Sequence, residues 1–464
     1  MSREAVAAAL GAAGVDVRVE DLSDAVVSWL AAAPAAEVHE AFERAADPPA
    51  ALHGLGRLLE SVAPPPVPGR VALLLRLLGG SPVLSATLTA EGRGWPERFA
   101  EVLDVGARDR AWHIATLAGA GGGAARDRGA LQSLLRRHRQ REFLRIGGRD
   151  LLGLATIEET VREITALAEG AIEDAVASVR ARLAEEWGEA MIEGRPARFV
   201  VLGMGKLGGE ELNYSSDVDL IYVYERDGDH RGGRTLREFF TRVGEEVTRA
   251  LGEVTAEGFC FRVDLRLRPG GGEGPVAVSL PAALTYYETW GQTWERAVWL
   301  KARPVAGMLD LGDALNEELR PFVHRRFLDF ATLEDLNQMK SRVDASLRGP
   351  DAAARDVKLG RGGIREIEFF VQAQQLVHGG KDPRLQVRGT LPALTALGAA
   401  GYVEPALAER LGAAYRFLRN VEHKIQMVHE RRTQLLPRDP ADLAALARRL
   451  GYAGREAGAA FAAD

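Results

Sequence analysis

Residues 199–224, FVVLGMGKLGGEELNYSSDVDLIYVY, constrain this chain more than any other stretch. Two runs of β-forming residues, Phe199–Leu202 and Val218–Tyr224, enclose a glycine-rich turn and the triplet Asp217-Val218-Asp219. Side chains alternate along a strand, so residues two apart share a face. Asp217 and Asp219 therefore stand side by side at the mouth of a strand otherwise made of Leu, Ile, Val and Tyr. Two adjacent like charges repel unless a cation lies between them. Paired carboxylates of this kind are hard-oxygen ligands for Mg²⁺ or Mn²⁺.

Gly203-Met204-Gly205-Lys206-Leu207-Gly208 also fits G-x-G-x-x-G after a strand, the fingerprint of a dinucleotide site. That fold needs a helix directly after the glycines, and a parallel return strand needs a crossover of a dozen residues or more. Here Gly209 and Asn213-Tyr214-Ser215-Ser216 follow, and the next strand begins too soon. The alternative is a strand, a glycine turn whose backbone N–H groups can hold phosphate, and a second strand bearing Asp-x-Asp. That order resembles the nucleotidyltransferase superfamily, with its polymerase-β-like fold.

The superfamily also needs a third carboxylate on a neighbouring strand. In Phe259–Pro269, FCFRVDLRLRP, apolar residues alternate with Arg262, Asp264, Arg266 and Arg268. Read as one strand, this gives a core face and a face with one acid among three arginines, which would make an anion-binding wall. Asp264 is then the third metal ligand. The bland alternative is an exposed strand with weak surface ion pairs.

At 464 residues the chain has room for two or three domains. The division expected is a helical region at 1–130, long connecting helices at 131–195, a catalytic domain at 196–306 and a helical bundle at 307–464. The fold class is α+β and mostly helical, with a small mixed sheet. A hydrophobic content of 46% and a mean hydropathy of -0.11 fit a soluble chain. The apolar run Val71–Leu78 is too short to span a bilayer, and Met1–Val15 lacks a signal-peptide layout. Cys260 is the only cysteine, which excludes a disulfide framework. The expected location is the cytoplasm, with no membrane partner. A net charge of -6 argues against a general nucleic-acid surface.

Only six lysines occur, at 206, 301, 340, 358, 381 and 424, against 59 basic Lys and Arg residues in all. Lys206 in the first glycine turn and Lys358 before a second glycine cluster therefore suggest a need for a compact ammonium, a point-charge phosphate binder. The run Arg136-Arg137-His138-Arg139-Gln140-Arg141 reads as a solvated helix face or a protein contact.

Among the helices, Thr156–Leu183 opens on a capping box with Glu159 and carries one apolar stripe, which suits a scaffold packed against the sheet. Thr235–Leu251 is another helix, followed by the Asp264 strand and a strand at Val276–Leu280. Helical stretches are expected at Ala282–Thr289 and Thr293–Arg303, with the tryptophans of the second in the core. Capped helices follow, one from Thr332–Asp335 to about Leu347 and one at Ile364–His378. In the latter, Glu366 falls on the apolar face among Phe369, Phe370, Ala373 and Val377, and Glu368 falls with Gln372 and Gln375. A carboxylate on an apolar face must be paired or bound, by a buried arginine or as part of a site.

The blocks GMGKLGGEELNYSSDVDLIYVY, FRVDLRLRPGGGEGPVAVS, GQTWERAVWLKARPVAG and KLGRGGIREIEFFVQAQQLVHGGKDPRLQ resemble the bifunctional glutamine synthetase adenylyltransferase/adenylyl-removing enzymes. So does RRHRQREFLRIGGRDLLGLATIEETVREITALA. Together they cover most of residues 131–390, and the regions before 131 and after 430 match only as helical. RVDLRLRP and GGIREIEFFVQ are closer to the N-terminal, adenylyl-removing half of that family, and Leu443–Phe461 reads as a helical pattern at an excised boundary. The resemblance implies phosphorolysis, in which phosphate attacks adenylyl-tyrosine of glutamine synthetase and releases ADP.

It also implies two Mg²⁺ or Mn²⁺ ions on Asp217, Asp219 and Asp264. Gly203, Gly205, Lys206, Ser215 and Ser216 would cradle phosphates, Arg266, Arg268 and Lys358 would meet the attacking phosphate, and Glu366 and Glu368 would support the site. The implied partners are adenylylated glutamine synthetase, the PII signal protein, phosphate and ADP or ATP. Two other readings stand beside it: AMP transfer from ATP by the same fold, and a non-catalytic module that binds PII and glutamine synthetase. One departure is Gly203-Met204 where the superfamily often has Gly-Ser.

Overall fold

A computed structural model describes residues 3–12, 22–120, 126–326, 354–428, 430, 432–454 and 456–463. The helix expected from Thr332 to Leu347 and the glycines at 121–123 lie outside the described residues.

Between Arg3 and Gly119 the described chain is a succession of short helices. They end in side-chain caps such as Ser23, Asp47, Ser81 and Asp109, each accepting a first-turn N–H, as cap positions require. Two long helices follow, α1 (Arg128–Leu152) and α2 (Ile157–Trp187). Gly153 at φ 74 closes α1, and Thr156 caps α2 by accepting the Glu159 N–H. No single described helix is long and apolar enough to cross a membrane. The pair Val71–Gly80 and Pro82–Ala90, apolar when taken together, is bent by 116° and buries Leu74, Leu75, Leu77 and Leu78 in the core.

The sheet is built from β1 (Phe199–Met204), β2 (Val218–Tyr224), β3 (Val263–Asp264), β4 (Ala277–Ser279) and β5 (Arg303–Gly307). β1 and β2 are antiparallel, with Phe199 opposite Tyr224 and Met204 opposite Asp219. That pairing excludes a dinucleotide βαβ unit, and only one helical turn, Gly205–Gly208, follows β1. β5 pairs antiparallel with the other side of β1. β3 and β4 share the far edge of β2, both parallel to it, at Val218–Asp219 and Tyr222–Tyr224 respectively.

The two faces of this sheet meet different cores. Val218, Leu220, Tyr222 and Tyr224 join α2 and α3 (Leu236–Gly252) in a core continuous with the N-terminal helices. Phe199, Tyr224 and Phe240 stack there with ring centroids 5.2–5.4 Å apart. Val200, Leu202, Met204, Ile221 and Val223 face α4 (Leu280–Trp290), α5 (Thr293–Trp299) and α6 (Leu309–Val323). The expected scaffold role of the 156–183 helix agrees with its burial between these layers. Beyond α6, α7 (Ile364–His378), α8 (Pro405–Gln426) and α9 (Pro440–Arg449) form smaller helical clusters.

Three expectations change. Residues 259–269 are not one strand. Only Val263–Asp264 pairs, and the chain then turns, because Arg268 gathers the carbonyls of Leu265, Gly272 and Gly274. Arg303–Gly307 is a strand rather than a helix end. The basic run of α1 is a solvated face only at Arg137 and Arg141. Arg136 and Arg139 are buried, and Arg136 donates to the carbonyls of Gln132, Ala250, Glu253 and Gly258. It thereby satisfies carbonyls that α3 leaves open at its C-terminus.

Candidate active site

Asp217 and Asp219 share the phase of Ile221 and Val223, so they emerge on the face covered by α5 and α7. There they line a cavity of ≈ 600 Å³. Pairing of Asp219 with Asp264 in register across β2 and β3 puts two carboxylates on neighbouring strands at the same level. The consequence is electrostatic: burial, and then the Asp264 charge, push the Asp219 carboxyl up to about 6. Asp264 is held below the usual carboxylate range by hydrogen bonds from Arg266, whose backbone N–H reaches Oδ1 at 2.8 Å and whose Nη2 reaches Oδ2 at 2.5 Å.

Asp217 looks into the same cavity but accepts from Arg262 Nε at 2.9 Å and pairs with Arg432. Among the described residues no three acids, imidazoles or thiolates converge as a ready-made ion cage. The donor set still suits a hard cation. All three carboxylates line one cavity, and the Asp264 charge raises Asp219 against the fields of Arg266, Lys358 and Lys206, a repulsion that a cation would relieve; Asp217 is already paired with Arg262 and Arg432.

Cations line the same cavity. Lys206, in the single turn after β1, reaches Glu422 Oε2 at 3.3 Å. Burial, opposed by Glu422, lowers its ammonium to about 8. Glu422 stays ionised despite burial, at about 2, because Lys206, Arg419 and Lys358 surround it. Lys358 lines the same cavity. Gly205 has φ 53, and a Cβ there would stand 3.0 Å from Asp219 Oδ2, so the turn tolerates no side chain beside the acid. Ser215 and Ser216 are on the cavity wall. Ser215 Oγ donates to the Glu430 carbonyl at 2.8 Å, and the Asn213 N–H donates to Ser216 Oγ at 3.2 Å.

Three of the expected residues are elsewhere. Gly203 is closed off by Leu207 and Val305, whose atoms lie 2.8 Å from a Cβ built there, so it serves packing and not phosphate. Arg268 is spent on the turn carbonyls described above. Glu366 is exposed and accepts the Gly362 N–H at 3.0 Å. The helical projection assigned the wrong acid to the interior. Glu366 sits in the first turn of α7 and folds back on its own N-terminus, while Glu368 is buried against Tyr415 and lines the cavity. Nor is there a three-arginine wall, since Arg262 serves Asp217 and Ser215, Arg266 serves Asp264, and Arg268 serves the turn.

Several wall residues escaped the sequence reading. Lys301 donates to Glu211 at 2.7 Å and Thr390 at 3.0 Å; the scarcity of lysine that marked Lys206 and Lys358 marks it equally. Glu422, Gln426 and Arg432 come from distant helices and loops with no local signal. Trp299 is in the core as expected, but Trp294 is 38% exposed and lines the cavity beside Leu267 and Val298.

A family model described as glutamate-ammonia ligase adenylyltransferase matches residues 71–318, just over half of the chain. A second, described as GlnD PII-uridylyltransferase, matches residues 334–464. The first match begins well before the motif blocks at 131, and the second takes in the block at 358–386 and runs on through the region after 430 that the sequence reading matched only as helical. Proteins named bifunctional glutamine synthetase adenylyltransferase/adenylyl-removing enzyme are similar to this chain. The one from Xanthomonas oryzae pv. oryzae is 46% identical over 322 residues, covering 69% of this chain and 34% of the relative. Those from Thioalkalivibrio sulfidiphilus and Pseudomonas aeruginosa are 46% identical over 336 and 332 residues, covering 71% and 70% of this chain and 34% of each relative. The matched part thus spans about a third of these relatives. With its Asp-x-Asp strand, parallel third acid and glycine turn in one cavity, the chain belongs to the glutamate-ammonia ligase adenylyltransferase family.

Proposed function

We propose that this chain removes AMP from adenylyl-tyrosine of glutamine synthetase by phosphorolysis. One observation carries the reading: Asp219 and Asp264 stand in register in a cavity that Lys206 and Lys358 also line. In the reaction an oxygen of hydrogen phosphate bonds to the adenylyl phosphorus as the bond to the tyrosyl oxygen breaks. The phosphate proton ends on the tyrosine, and ADP leaves. No enzyme-bound intermediate is needed, so positioning and charge neutralisation are what the protein must supply.

Lys206 and Lys358 suit the incoming phosphate, because each is a compact cation facing the acids. The backbone at Gly205 can approach phosphate oxygens closely. Trp294, Leu267 and Val298 give an apolar side on which an adenine can rest. Asp219 and Asp264, with Asp217, would hold Mg²⁺ or Mn²⁺. Bound there, such ions would neutralise charge on the phosphoryl group and on the leaving oxygen. The match of residues 334–464 to a PII-uridylyltransferase model supports PII as a regulatory partner, and the family name supports glutamine synthetase as the protein substrate.

The test incubates the whole chain with adenylylated glutamine synthetase, Mg²⁺ and phosphate, and follows ADP. Phosphate-dependent ADP that disappears in Asp264→Ala is expected. AMP incorporation from ATP into unmodified synthetase, without ADP release from the adenylylated form, would reverse the assigned direction. Binding of either form with no turnover in both directions would make the chain a recognition module.

A further inference from the structure

A second cavity, of ≈ 320 Å³, opens where three distant parts of the chain meet. Arg76 enters from the N-terminal helix Val71–Gly80, Asp150 from the end of α1, Arg416 and Lys424 from α8, and Arg449 from α9. Four cations therefore face one carboxylate, and that carboxylate is already taken: Asp150 Oδ1 accepts from Lys424 Nζ at 2.6 Å and Oδ2 from the Tyr214 hydroxyl at 3.1 Å. Arg449 lines the space and gives its Nε to the Gly80 carbonyl at 2.7 Å, with Asp47 and Asp442 in its field. Arg416 pairs with Glu158 at the rim. Arg76 makes no hydrogen bond or ion pair with any described residue. Glu40, whose field reaches it, is itself paired with Arg44 at 3.4 Å.

A half-buried guanidinium without a partner, next to a second one only partly used, is an unfinished anion site: guanidinium forks match the geometry of phosphate and carboxylate oxygens, and a basic cleft concentrates anions. Burial and the neighbouring Arg44 both lower the Arg76 pKa, which is the response of a cation that lacks a counter-charge. We propose that this cavity binds a compact oxyanion carrying two or more negative charges, held by Arg76 and Arg449 with Arg416 at the entrance.

Its position gives the site a route to the catalytic cavity. Asp150 holds Tyr214, the residue before the Ser215–Asp217 wall. Lys424 lies two residues from Glu422, the partner of Lys206. An anion that draws Lys424 away from Asp150 loosens the hold on Tyr214, so occupancy of the second cavity bears on the acids of the first.

Calorimetric titration of the whole chain with sulfate tests the proposal without reference to turnover, and so separately from the phosphorolysis reading. The expected result is saturable binding that persists in Lys206→Met and weakens at least tenfold in Arg76→Gln. Loss of binding in Lys206→Met, or equal affinity in Arg76→Gln, would overturn it. If Arg76→Gln does not fold by circular dichroism, Arg416→Glu at the exposed rim replaces it, with the same tenfold expectation and the same refutation by unchanged affinity. A parallel titration with succinate separates the sources. Equal affinity for succinate assigns the site to carboxylate metabolites, and preference for sulfate assigns it to phosphate-type anions.

Discussion

Two clusters of buried charge, one under α1 and one around the catalytic cavity, are built from the same residue types and behave differently. In the first, every side-chain nitrogen of Arg136 and Arg145 has an acceptor: Arg136 finds carbonyls, and Arg145 finds Glu142, Glu163 and the Gly106 carbonyl. In the second, Lys206 and Asp219 face the cavity with protonation displaced toward neutral, at about 8 and about 6. A charge matched by its neighbours locks elements together. A charge left partly unmatched is available to a ligand; a displaced pKa does not mark it by itself, because burial also moves Arg136 down and Glu142 up in the matched cluster. The difference separates scaffold from site without any knowledge of the substrate.

The sharpest way to break this comparison is to remove a matched charge. Arg145→Met takes from Glu163 its guanidinium partner and from Glu142 one of two, Arg108 being the other, and should cost about 3–5 kcal/mol, read as a lower midpoint in urea unfolding; a loss under 1 kcal/mol would mean the cluster is not matched as described.

Asp219→Asn should do the opposite to stability while costing activity. Turnover should fall on the order of 10²–10³-fold, the scale for one preorganised electrostatic group. The sign of the stability effect follows from the raised pKa. An acid whose folded value lies near 6, above its ordinary 3.8, makes the native state less stable wherever it is ionised. That cost is complete above pH 6 and gone below about pH 4. The variant should thus unfold on the order of 2 kcal/mol later than the parent at pH 8, with the advantage vanishing at pH 4. A pH-independent difference would refute the assignment.

Lys206 sharpens the comparison from the other side. Because its ammonium titrates near 8, KM for phosphate should rise above that pH by about tenfold per lost charge contact. In Lys206→Arg, whose guanidinium stays charged, the rise should disappear. The smallest effect expected is that of Trp294→Ala. Half-exposed at the cavity wall, it should leave thermal stability nearly unchanged and weaken ADP binding by about 1–2 kcal/mol. Trp299→Ala, in the core, should show the reverse pattern.

The features legible in the sequence are those carried by local periodicity. The β2 boundaries, the α3 helix at 235–251, the helix at 364–378 and the Asp219–Asp264 partnership all follow from alternation, helical periodicity and the spacing of acids. What escaped depends on contacts made far along the chain. Arg136 is an interior residue only because α3 ends against it, more than a hundred residues later. Glu366 and Glu368 exchanged roles because the first turn of α7 is closed by its own carboxylate, which no face projection represents. The strand at 303–307 reads as a helix end until β1 is there to pair with it. Glu422 and Arg432 reach the cavity from segments whose sequence has no resemblance to a phosphate-binding motif.

Asp150 is joined to Lys424, 274 residues later, and Ser81 Oγ donates to the Met427 carbonyl, 346 residues later. As the chain emerges from a ribosome, the α1–α2 junction is complete long before α8 exists, so Asp150 waits without its lysine while 274 further residues are made. Contacts so distant in sequence close slowly. The interval exposes the cleft that α8 later fills, which makes the nascent chain a target for proteases and holding chaperones until α8 arrives.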